Sequence, residues 1–138
     1  MAHIEGPDQA DGALHKLVLK SLDDDLAQEI VTINLAGKSA LADHMVIATG
    51  RSQRHVGAVA DHLLRKLKVD GHKSVRAEGL STCDWVLVDA GDVVVHIFRK
   101  EVREFYGIEK MWAAEASPVP SGSPASVADR QLGAELSA

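Results

Sequence analysis

Three groups of residues in this sequence have types and spacings that could do chemistry. The first is Thr49-Gly50-Arg51-Ser52. A strand ends there, a glycine follows, and Ser52 is placed to open a helix. Helix N-termini attract anions through free backbone N–H groups and the helix dipole, and Arg51 and Arg54 would add charge. A Gly-Ser pair so placed can hold a triphosphate while carboxylates on the sheet hold Mg²⁺, the layout of a nucleotidyl-transfer site. The carboxylates on offer are Asp84, Asp89 and Asp92. Asp89 and Asp92 stand three apart across a turn, not two apart on one strand face. Two metal ions need carboxylates that converge on a span of about 3.5–4 Å. The spacing therefore favours a strand-to-helix turn with a serine cap over a catalytic centre built from Gly50–Ser52, Asp89 and Asp92.

The second group is Gly37-Lys38-Ser39. A phosphate-binding loop needs a glycine five residues before Gly37, where Thr32 stands, and it precedes a helix rather than joining two strands. A plain turn fits better. The third is the set of seven histidines and the single cysteine, Cys83. His55 and His62 are two helical turns apart, too far to share an ion unaided. No H-x-x-x-H pair exists, and Cys83 has no adjacent base. No metal, cofactor or catalytic residue is expected.

What remains is 84–98, DWVLVDAGDVVVHIF. Two apolar runs flank a four-residue turn, DAGD. Alternation sets Val93, Val95 and Ile97 on one face and Val94, His96 and Phe98 on the other. A hairpin apolar on both faces is either a strand pair buried on both sides or an edge that meets a partner. Trp85, Tyr106 and Trp112 all lie in or shortly after it, residue types enriched at interface hot spots.

Several elements must position these residues. Leu14, Leu17, Val18, Leu22 and Leu26 have helical spacing, which the acidic run 23–25 should end. Residues 30–35 and 45–49 read as strands. Ser52 caps a helix whose apolar face is Val56, Val59, Ala60, Leu63, Leu64 and Leu67, and Asp70-Gly71 stops it. Residues 73–78 form a weak strand, 85–88 and 93–98 two strong ones. A short charged helix comes next, broken near Gly107. The order α-β-β-α-β-β-β-α predicts an α/β (α+β) domain with a mixed β-sheet of about five strands flanked by helices. Residues 1–12 read as a disordered N-terminus. Residues 113–138 read as a disordered tail rich in Pro, Ser and Ala, a composition that cannot bury a core. The domain is then 13–112, and so small a core makes a homodimer plausible.

Composition narrows the function. The chain has 138 residues, one cysteine and no apolar stretch near the length of a membrane span. Its N-terminus has no apolar signal-peptide core and carries Glu5, Asp8 and Asp11, so a cytoplasmic protein is expected. Residues 13–76 carry 10 basic and 7 acidic side chains, and residues 77–112 carry 4 and 7. An overall charge of −5 disfavours DNA, whose phosphates supply most non-specific affinity. The acidic 77–112 segment suits a basic protein partner instead.

Taken in order, GKS (37–39), ADHMVIATGRSQRHV (42–56), ADHL (60–63), EG (78–79), DWVLVDAGDVVVHIF (84–98) and FYGIEKMW (105–112) resemble the Iojap family, whose bacterial members are ribosomal silencing factors (RsfS). The resemblance runs from about Leu14 to Trp112. It implies a nucleotidyltransferase-like topology without the enzyme activity. It also implies a translation repressor of nutrient limitation that binds the large ribosomal subunit through ribosomal protein uL14 and blocks joining of the small subunit. On that footing Trp85, Tyr106 and Trp112 are expected to supply apolar contact with uL14. Glu78, Asp84, Asp89, Asp92, Glu104 and Glu109 would face its basic side chains, and His96 and Lys110 would hydrogen-bond across the interface.

Overall fold

The computed structural model describes residues 2–40 and 42–120. Helix α1 spans Ala2–Asp24, β1 Gln28–Asn34 and β2 His44–Gly50. Helix α2 spans Gln53–Val69, followed by β3 Arg76–Glu78, β4 Trp85–Asp89 and β5 Val93–Arg99. Helix α3 is Lys100–Tyr106, a 3₁₀ segment runs Ile108–Glu115, and β6 is Ala116–Pro118.

The six strands form one sheet in the order β3-β4-β5-β2-β1-β6. β2 and β5 run parallel, and every other neighbouring pair is antiparallel. The parallel pair results from the connection: α2 carries the chain from the end of β2 across one face before β3–β5 return. The mixed sheet flanked by helices is the expected class, with one more strand than the sequence suggested. Residues 116–118 pair with Ile33, Thr32 and Val31 along the β1 edge. Ala-Ser-Pro has no apolar alternation, and proline is tolerated at a sheet edge, so the strand is defined by pairing rather than by pattern. Of residues 113–138, read as a disordered tail, 113–118 instead lie in the 3₁₀ segment and β6, and 121–138 lie outside the described residues. At the other end, α1 starts at Ala2, ahead of the Leu14 start that apolar spacing implied. The first side chain it buries among those described is Leu14.

Two apolar layers sandwich the sheet. On one side α1 and α2 pack Leu14, Val18, Leu22, Val56, Val59, Leu63 and Leu67 against Val46, Val86, Val88, Val93, Val95 and Ile97. On the other, Ile33, Ile47 and Phe98 are covered by Val102, Ile108 and Trp112. So the 93–95–97 face of the hairpin is core. Among the described residues, the face that carries Val94, His96 and Phe98 meets the short α3 and the 3₁₀ segment.

Helix ends obey their local chemistry. Ser52 caps α2, its Oγ accepting the His55 N–H at 3.1 Å. Gly107 closes α3 in the left-handed region at φ 54° and turns the chain into the 3₁₀ segment.

Candidate functional site

The antiparallel register of β4 and β5 sets Trp85 opposite Phe98, Leu87 opposite His96, and Asp89 opposite Val94. All six point to the side away from α1 and α2. The Trp85 Nε1–H donates to His96 Nδ1 at 2.9 Å. That nitrogen is an acceptor, so the imidazole proton sits on Nε2, for which the described residues offer no partner. His96 is 9% exposed, and burial pushes its pKa from the ordinary 6.5 down to about 4. It is a neutral donor at physiological pH.

Around this bond the rings cluster. Trp85 lies 4.9 Å from the Phe98 centroid and 4.8 Å from that of Tyr106, and Phe105 meets Tyr106 edge-on at 5.0 Å. Tyr106 extends the cluster outward, and Phe105 is 81% exposed. Across β4, β5 and β2, Leu87, Val94 and Met45 are half-buried, because α3 packs over β5 and β2 and the 3₁₀ segment over β1. The result is an apolar, ring-rich face left partly uncovered.

The structure gathers only some of the residues that sequence singled out. Trp85, His96 and Tyr106 form one cluster. Glu78 faces the same side, paired opposite Leu87 on the exposed edge strand, with Arg76 next to it opposite Asp89. Glu104 and Lys110 are exposed on and beyond α3. Trp112 is half-buried on the same side but further along, over β1, among the neighbours of Ile33 and Phe98. Asp89 accepts the Gly91 N–H at 2.9 Å and shapes the hairpin turn. Asp92 accepts from the Asp43 and His44 amides through its carbonyl, which anchors the loop before β5.

Two carboxylates are engaged within the chain. Asp84 binds Arg99 Nε at 2.7 Å and Gln53 Nε2 at 3.0 Å, and the Arg99 hydrogen bond, aided by Gln53, holds its carboxyl below the usual range. Glu109 grips the Arg103 guanidinium with both oxygens, at 2.6 and 3.0 Å. Arg103 is buried, and its Nη1 also donates to the Glu29 carbonyl and to Thr49 Oγ1. Glu109 is the counter-charge of a buried arginine that ties the β2 end to α3.

Phe98, Phe105 and Leu87 complete the face and were not singled out from sequence. For Phe98 and Leu87 the signal was available, since alternation from Trp85 and the register of a four-residue turn place both beside His96.

The nucleotidyl-transfer layout does not assemble. β2 and β5 run in register, His44 beside Val93 and Gly50 beside Arg99. Gly50–Ser52 therefore lies at one end of the sheet and the Asp89–Asp92 turn at the other, about 20 Å apart at roughly 3.3 Å per residue. Gly50 has a packing reason to be glycine: a Cβ there would sit 2.6 Å from Val56 Cγ2. The Arg51 amide is taken by His55 Nδ1 at 2.9 Å, while His55 Nε2 bonds the Asp25 carbonyl. Among the described residues no group of three or more His, Cys, Asp or Glu could hold a metal ion. Nor is any described helix long and apolar enough to cross a membrane.

The family described as "Ribosomal silencing factor during starvation" (RsfS) matches residues 7–135. A ribosomal silencing factor of Zymomonas mobilis is 57% identical over 99 residues, 72% of this chain and 74% of that protein. One from Haemophilus influenzae is 41% identical over 101 residues, 73% of this chain and 99% of that protein. A crystal structure of a Chromobacterium violaceum protein superposes with a TM-score of 0.72 at 37% identity, covering 82% of this chain and 96% of that one.

Proposed function

The chain belongs to the family of ribosomal silencing factors, and we propose that it binds the large ribosomal subunit through ribosomal protein uL14 and stands where the small subunit would dock, repressing translation when nutrients are scarce. No bond is made or broken. Binding need only place a folded domain on the joining surface.

The observation that carries this reading is the uncovered face around the Trp85–His96 pair. A partner that covers Trp85, Tyr106, Phe105 and Leu87 gains apolar burial at about 25 cal/mol per Å². Rigid aromatic anchors at the centre of a patch are where interface energy concentrates. The His96 Nε2–H, held by its bond to Trp85, offers one fixed donor within that patch. Glu78 and Glu104, exposed near its border, give the sign that attracts a basic ribosomal protein and speeds encounter. Asp84 and Glu109 act from behind, holding Arg99 and Arg103. The proposal extends to a homodimer of the free chain, since the same apolar face is open to a second copy, and to a cytoplasmic place of action beside the ribosome.

Capture of purified uL14 tests it. The wild-type chain should retain uL14, and a folded Trp85→Ala/Tyr106→Ala chain should lose about 30-fold or more in affinity, about 1 kcal/mol or more for each truncated ring. Equal retention by both would overturn the docking face.

A further inference from the structure

We propose that the Gly50–Ser52 turn serves the docking face through Gln53, a positioning residue that holds Asp84 and Trp85 in place for the partner. The role rests on the reading of the Trp85 face as the docking surface.

The turn and the face meet at one end of the sheet. Gly50, the last residue of β2, lies beside Arg99 of β5, and the Arg99 N–H donates to the Asp84 carbonyl at 2.9 Å. Because Gly50 has no Cβ, Val56 and the first turn of α2 close on the end of β2. Ser52 caps that helix, so Gln53 is its first residue. From there the Gln53 side chain reaches the segment that leads into β4. Its Nε2 donates to the Thr82 carbonyl at 3.1 Å and to Asp84 Oδ1 at 3.0 Å, one acceptor for each N–H of the amide. Asp84 Oδ1 also accepts from Arg99 Nε at 2.7 Å. One exposed side chain thus joins α2, the 79–84 segment and β5.

That segment needs such a tie. Cys83 stands in the left-handed region at φ 57°, a conformation that favours glycine and persists only when the surroundings impose it. Gly57 of α2 makes room for the Cys83 thiol, since a Cβ there would sit 3.0 Å from Sγ. At the other end of the segment, a Cβ on Gly79 would collide with the Trp85 carbonyl. Thr82, Asp84 and Trp85 then form one wall of a hollow of about 360 Å³, with Phe105 and Tyr106 on the other. Where the 79–84 segment sits therefore sets the shape of the docking face, and Gln53 sets where it sits.

Gln53→Met keeps the length of the side chain and removes both donors, whereas Gln53→Lys supplies a donor again. Two measurements compare these chains with the wild type: the indole N–H signals of Trp85 and Trp112 by NMR in the free chain, and affinity for purified uL14 by calorimetry. In Gln53→Met the Trp85 signal should move while the Trp112 signal stays, and affinity should fall about fivefold, the scale of a hydrogen bond. Gln53→Lys should bring both back toward the wild-type values. A Trp85 signal that stays in place in Gln53→Met would overturn the proposal, even with a lowered melting temperature, because the role would then be merely structural. So would a loss of affinity that Gln53→Lys does not recover. Failure of the wild-type chain to retain uL14 would instead overturn the docking face, since the indole signals are read without a partner.

Discussion

Trp85 and His96 are joined across β4 and β5 by a 2.9 Å bond from the indole Nε1–H to the imidazole Nδ1. The bond selects the imidazole tautomer, fixes the indole against Phe98 and Tyr106, and leaves the Nε2–H as a set donor on an apolar face. Trp85→Phe keeps most of the ring area and removes the bond. Affinity for uL14 should fall by about tenfold, matching the roughly 1.4 kcal/mol expected of one such hydrogen bond and its preorganisation. His96→Gln should cost a similar factor. Titration calorimetry against purified uL14 reads both.

Stability should fall as pH is lowered from about 6.5. Burial holds His96 near 4, and burial with the adjacent His44, stacked at 4.1 Å, holds His15 near 4 as well. Between those values and 6.5 the unfolded chain binds protons that the folded chain refuses, so stability is present at neutral pH and lost toward pH 4. For His96 the loss at pH 5 is about 2 kcal/mol. Urea midpoints at pH 7 and pH 5 measure it, and His96→Gln should remove its share of the difference.

Glu109 should matter for folding rather than for docking. Glu109→Ala leaves the buried Arg103 guanidinium without its counter-charge, a loss of about 3 kcal/mol. Arg103→Met/Glu109→Ala should lose less than the sum of the single changes, because the orphaned charge is gone. Thermal unfolding of the four proteins completes the cycle. A conservative Glu109→Gln chain that stays folded should keep its affinity for uL14.

Gly50→Ala probes the strand-to-helix turn. The new methyl would meet Val56 Cγ2 at 2.6 Å and the Val56 backbone nitrogen at 3.0 Å. Overpacking of that kind costs about 2 kcal/mol. The expected phenotype is a lower melting temperature.

Much of this could be read from the chain. The periodicity of α2, its Ser52 cap and the DAGD turn place the main elements, because each rests on local chemistry. Alternation in β5 separates its two faces, but does not say which one the helices cover. That is settled by the parallel register of β2 and β5 and by the course of α2, both long-range. For the same reason Glu109 and Asp84 read as surface acids: Arg103 and Arg99, which engage them, announce themselves only once strand and helix are brought together. β6 leaves no trace in pattern, since three residues at an edge are defined by pairing with β1.

The central claim is that the Trp85 face keeps the ribosomal subunits apart, and sedimentation of purified subunits through a sucrose gradient tests it most directly. The wild-type chain should travel with the large subunit and reduce the joined-ribosome peak, whereas a folded Trp85→Ala/Tyr106→Ala chain should stay at the top and leave that peak intact. Undiminished joining at saturating wild-type chain, or equal inhibition by the double variant, would contradict it.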